Sequence, residues 1–113
     1  MKECDLLYKN SSGNISAFSV IHLGKNIGVY EIVHINDDVC EISLEIDKEH
    51  RNSIKKSLVE KCLKFPSELG YLRVLIWTEL ERMVKFLEKM HSYGVKYLKK
   101  CNSRTWFEVH YGK

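Results

Sequence analysis

Between residues 39 and 46 the side chains alternate: Cys40, Ile42, Leu44 and Ile46 face one way, Glu41, Ser43 and Glu45 the other. A period of two is that of a strand with one buried face. The segments 15–23 and 27–35 precede it, rich in β-branched and aromatic residues, with turn residues at 24–26 and 36–38. Together the three predict an antiparallel meander, and a weaker strand is expected over residues 5–8.

The period changes after Asp47. Ile54, Leu58, Val59, Cys62 and Phe65 form a helical stripe over residues 53–65, and Pro66 is expected to end that helix. Residues 71–77 are nearly continuously apolar, as in a strand covered on both faces. Thr78 and Glu81 have the spacing of a capping box, opening a helix whose apolar face is Leu80, Met83, Val84, Leu87 and Met90. Residues 91–94 close it. Two last strands, 95–100 and 104–111, flank a turn at Asn102-Ser103. The helix between the third clear strand and residues 71–77 is a crossover, so those strands should be parallel neighbours. The loop 47–53 is then the place where a ligand would meet a helix N-terminus.

The chain of 113 residues, 44% hydrophobic and 29% charged, fits one α/β (α+β) domain over residues 1–113. Its longest strongly apolar run, residues 74–77, is far below the ~20 residues that span a bilayer. No hydrophobic stretch follows the N-terminus, so a cytoplasmic protein is the expectation. Cys4, Cys40, Cys62 and Cys101 have no Cys-x-x-Cys spacing, and the five histidines have no His-x-x-x-His spacing. Reduced thiols and no metal site are therefore expected.

Charge is unevenly placed. Residues 1–47 hold three Lys against eight Asp/Glu, net −5, whereas residues 48–113 hold 15 Lys/Arg against seven Asp/Glu, net +8. A basic second half points to an anionic partner or to a solvated set of lysines.

The segment 41–51 resembles the fourth strand and cofactor loop of the GNAT-type acyl-CoA N-acetyltransferases. Residues 71–75 look like that family's fifth strand, and residues 84–90 with Gly94-Val95 are similar to its late helix and the step after it. The resemblance implies a mixed, mainly antiparallel sheet of about six to seven strands with two helices. It also implies an acetyl-CoA site at Ile46, Arg51, Asn52, Ser53, Lys55 and Lys56. Family members hold the pyrophosphate with a Gln/Arg-x-x-Gly-x-Gly/Ala loop. Arg51 matches its first position, while Ile54 and Lys56 stand at the two small ones. Leu80 falls where the family has Asn, and Leu87 where it has a Tyr that protonates the departing thiolate. Tyr93 or Tyr97 would have to replace that donor. The family's two helices between the first and second strands have no room in residues 9–14, so an acceptor pocket would be missing or completed by another chain.

Glu41 and Glu45 share one strand face where a general base could deprotonate an amine, and Glu31 and His34 on the neighbouring strand could join them. With Tyr93 as the donor, Glu41 and Glu45 are the candidate catalytic residues. The C-terminal Lys99, Lys100 and Arg104 lie among Tyr97, Trp106, Phe107 and Tyr111, a mixture that suits nucleic acid, a protein contact or a dimer interface. A protein partner or second copy is favoured over nucleic acid, with no membrane role. Two functions follow. The first is a reduced GNAT-like domain with impaired catalysis that binds another macromolecule. The alternative is an active acetyl-CoA-dependent N-acetyltransferase acting on a protein or small-molecule amine. Reduced proteins resembling this family occur in tailed phages as virion-associated or anti-host factors, so a phage source is an expectation of the resemblance.

Overall fold

Four strands lead the chain: β1 (Asp5–Ser12), β2 (Ile15–His22), β3 (Lys25–His34) and β4 (Val39–Ile46). A 3-10 turn (Lys48–Ser53) leads into α1 (Lys56–Glu68), then β5 (Arg73–Thr78) and α2 (Glu81–Glu88). A second 3-10 turn (His91–Tyr93) precedes β6 (Lys96–Cys101) and β7 (Arg104–His110). This computed structural model describes residues 4–111, apart from the side chain of Ser53. The strands form one sheet in the order β1-β2-β3-β4-β5-β7-β6. Among the described residues only β4 and β5 are parallel, as the crossover through α1 requires. The expected α/β class, strand number and two helices are all present.

The alternation in β4 becomes burial. Cys40, Ile42, Leu44 and Ile46 join one core cluster with Val74 and Ile76 of β5, Phe107 and Val109 of β7, and the buried sides of both helices. Burying an apolar side chain stabilises the fold by about 1.5–3 kcal/mol, so this shared cluster fixes the register. Both helices therefore cover the same face. Residues of the other parity, including Glu41, Ser43, Leu75, Trp77 and Trp106, stay half-buried on a face that no helix covers.

Several boundaries depart from expectation. β1 runs on to Ser12, with a bulge between Tyr8 and Asn10, and turns tightly at Gly13 into β2. β5 is covered on one face only: Val74, Ile76 and Thr78 are buried while Arg73, Leu75 and Trp77 are not. Its apolar run reads as two-sided because Trp77 packs on another indole, that of Trp106, rather than under a helix. Thr78 is not the cap of α2. That position is Leu80, and the Thr78 hydroxyl instead accepts from the Leu80 N–H at 3.0 Å.

Pro66 lies inside α1 rather than beyond its end. Proline removes the N–H that would bond the carbonyl four residues back, here that of Cys62. The Tyr30 hydroxyl donates to that carbonyl at 2.8 Å, and the Tyr111 hydroxyl donates to the neighbouring Leu63 carbonyl. With its carbonyls satisfied, the helix continues to Glu68. It ends where Tyr71 N–H bonds Pro66 O and Gly70 N–H bonds Ser67 O, with Gly70 at φ 100.

Candidate functional site

β4 and β5 begin as partners and then separate. Their pairing runs from Val39↔Arg73 to Ile42↔Ile76, although β4 continues to Ile46 and β5 to Thr78. Beyond Ile42 the β4 edge that faced β5 is without a strand partner, leaving backbone donors and acceptors for a ligand. The helix α1 begins just past this opening. Its cap residue, Lys55, makes no side-chain bond to the first turn, so the N–H groups of Lys56 and Ser57 lack a cap there.

The turn between β4 and α1 is fixed by arginines. Arg51 Nε donates to the Ile46 carbonyl at 3.3 Å, and Arg82 Nε of α2 donates to the Ile54 carbonyl at 3.1 Å. Ile54 is fully buried, so its side chain serves the core instead of obstructing the outer side of the turn. Arg51, Asn52, Lys55 and Lys56 are exposed around the turn. Ile46 is buried and contributes its carbonyl, not its side chain, and the Ser53 side chain lies outside the described residues.

An open cavity of about 420 Å³ lies at this end of β4, lined by Lys9, Gly28, Glu45, Asp47, Lys48 and Arg51 among others. Gly28 is required here: a Cβ would meet the Glu45 carbonyl oxygen and approach the Ile46 Cα to 2.9 Å. Lys9 and Lys48 are cations that the sequence reading missed. Lys48 lies within the predicted loop 47–53, whereas Lys9 arrives only through the β1 bulge.

On the uncovered face, Glu41 sits where β4 and β5 are still paired, opposite Leu75. The Trp77 indole donates to its Oε2 at 2.8 Å. Glu31 and Glu45 share that face, since Glu31 pairs with Ser43 and Val29 with Glu45. His34 does not join them. It pairs with Cys40 and its Nδ1 lies 2.8 Å from the Tyr71 hydroxyl. Nor does Tyr93, which lies on the helix-bearing side and donates to Glu60 of α1 at 2.6 Å. That bond to a carboxylate raises the Tyr93 pKa above its ordinary value. Tyr97 projects from the edge strand β6 and packs against Phe107. Leu87 is buried in the core.

Solved structures with this arrangement are numerous. A Campylobacter jejuni N-acetyltransferase, PseH, matches with a TM-score of 0.70 over 89% of this chain and 71% of that one, at 16% identity. A Bacillus subtilis acetyltransferase in complex with CoA matches with a TM-score of 0.71 over 96% and 99%, at 10% identity. The fold is that of the GNAT acetyltransferases. A third GNAT structure, from Elizabethkingia anophelis with acetyl-CoA bound, matches with a TM-score of 0.63 over 86% of this chain and 76% of that one, at 13% identity. No protein-family model matches the chain, and no curated protein matches it.

Among the described residues no three His, Cys, Asp or Glu side chains gather as metal ligands, and no helix is long and apolar enough to cross a membrane. Within the GNAT fold this chain has only the tight turn at Gly13 between β1 and β2, so no helices there cover the face bearing Glu41.

Proposed function

We propose that this domain binds acetyl-CoA in the opening between β4 and β5 and transfers its acetyl group to an amine presented on the uncovered face. The observation that carries this is the end of strand pairing at Ile42↔Ile76, directly before a basic helix start. The residues fit an elongated, phosphate-bearing cofactor. The free edge of β4 suits amide groups, and Lys48, Arg51, Lys55 and Lys56 with the α1 N-terminus suit a pyrophosphate. When bound, the cofactor supplies a thioester carbonyl carbon as electrophile.

On this reading Glu41 takes the proton of an attacking amine. The Trp77 indole occupies one carboxylate oxygen and fixes the side chain, which leaves the other oxygen for the amine. Because that face is uncovered, the amine can belong to a large molecule. Calorimetric titration with acetyl-CoA, followed by assay of thiol release with an added amine, tests this reading.

A second reading rests on the missing proton donor. Five tyrosine hydroxyls are committed elsewhere: Tyr8 to Ser11, Tyr30 to Cys62, Tyr71 to His34, Tyr93 to Glu60 and Tyr111 to Leu63. With Leu87 in the core and Tyr97 out on the edge strand β6, beyond β7, a departing thiolate would take its proton from water. On this reading the domain binds the cofactor, transfers slowly and acts by holding a macromolecule. Binding with no thiol release above the uncatalysed rate would select it.

A further inference from the structure

The β6–β7 hairpin concentrates positive charge. Residues 96–110 hold Lys96, Lys99, Lys100 and Arg104 against the single acid Glu108, a net +3 that equals the charge of the whole chain. Glu108 is itself neutralised, since Arg73 donates to it at 2.8 Å.

The cations converge on two indoles of the uncovered face. Trp77 and Trp106 are direct cross-strand partners, with ring centroids 6.4 Å apart. The Arg104 guanidinium lies 3.7 Å from the Trp77 ring centroid. Lys99, opposite Trp106 in register, places Nζ 5.7 Å from that ring. An uncovered sheet face is ordinarily polar, so two adjacent half-exposed tryptophans on one need a reason. Phe107 faces the core, so Trp106 alone of that pair is left for a ligand.

We infer that this face binds single-stranded nucleic acid. Trp106 offers a ring on which a base can stack, the Arg104 plane over Trp77 offers a second, and Lys96 and Lys99 meet the phosphates. Glu31, Glu41 and Glu45 on β3 and β4 bound the patch, so a polyanion runs along β6 and β7 rather than across the sheet. Charge complementarity favours this occupant over a protein, because lysine is depleted in protein interfaces. Coenzyme A has no part in the inference, which stands apart from acetyl transfer.

The test is a tryptophan-fluorescence titration of the cofactor-free protein with an oligouridylate of about twelve nucleotides, at low and at physiological salt. The expected result is quenching, with affinity falling about as the salt concentration to the power −0.7 for each phosphate contacted. Trp106→Ala should weaken binding about tenfold, one stacked base, and Trp106→Phe should restore most of it. Lys96→Glu/Lys99→Glu, at exposed positions, should abolish binding without unfolding the protein. Absence of quenching at low salt overturns the inference. So does an oligoglutamate peptide that competes equally well, which would mark a protein-binding basic patch.

Discussion

The Tyr30 hydroxyl of β3 donates to the Cys62 carbonyl of α1 at 2.8 Å, and Pro66 deprives that carbonyl of its helical partner. Tyr30 is fully buried, and burial holds its phenol well above the usual range, so it is a permanent donor. Tyr30→Phe should therefore cost about 1–3 kcal/mol, the penalty of an unsatisfied buried acceptor. Urea unfolding would register this as a lower midpoint with an unchanged slope. An unchanged midpoint would mean that the carbonyl finds another donor.

Gly28→Ala should be more damaging than its size suggests. The added methyl has to displace the backbone of Glu45 and Ile46, which cannot yield as a side chain can. The expected loss exceeds about 2 kcal/mol, with β3 and β4 forced apart next to the cofactor opening. Thermal unfolding checks the loss. A variant as stable as the parent would mean that the two strands pass less closely than described.

Thiol chemistry separates Cys101 from the other three. Cys101 is exposed, whereas Cys4, Cys40 and Cys62 are buried and free. Burial pushes the Cys40 thiol up to about 12 and the Cys62 thiol up as well. A thiol-specific reagent at neutral pH should modify Cys101 quickly and the others only on unfolding. The sign for stability follows from the raised values. The neutral thiol is the folded form, so its contribution is whole below the unfolded value of about 8.5. It is lost progressively as pH rises toward about 12. Cys40→Ser should flatten part of that alkaline decline in a denaturation series.

Lys55→Glu/Lys56→Glu should abolish coenzyme A binding and leave the melting temperature of the free protein nearly unchanged. Both residues are exposed, and the one ion pair affected, Lys56 with Glu60 at 3.9 Å, is an i,i+4 surface pair worth about 0.3–0.5 kcal/mol. Calorimetry of the variant checks the claim. Persistent affinity would place the phosphate grip elsewhere, with Lys9, Lys48 and Arg51 the next residues to change.

Much of the scaffold is legible in the sequence because it depends on local periodicity. The alternation from Cys40 to Ile46 indicates which face of β4 is buried, and the helical stripe after it implies the parallel pairing with β5. What escapes is tertiary. Nothing near Pro66 announces that Tyr30 will serve the Cys62 carbonyl it orphans, or that Tyr111 will reach the carbonyl of Leu63 beside it. Thr78 and Glu81 match a cap in spacing, but Thr78 belongs to the end of β5. Glu41 and Glu45 are readable as one face, whereas the partnership of Glu41 with Trp77 needs the register between parallel strands. Tyr93 is a candidate by proximity in sequence, and the turn at His91–Tyr93 carries it to α1 and Glu60, across the sheet from both carboxylates. Ile54 stands at a small position of the phosphate loop, and only its burial shows that the side chain points inward.

Calorimetric titration of the protein with acetyl-CoA, with free coenzyme A alongside, decides whether the opening between β4 and β5 holds the cofactor. One site with micromolar affinity, about −8 kcal/mol, and a matching rise in melting temperature are expected. No heat and no thermal stabilisation at millimolar ligand would contradict that expectation and leave a GNAT fold that does not use the cofactor.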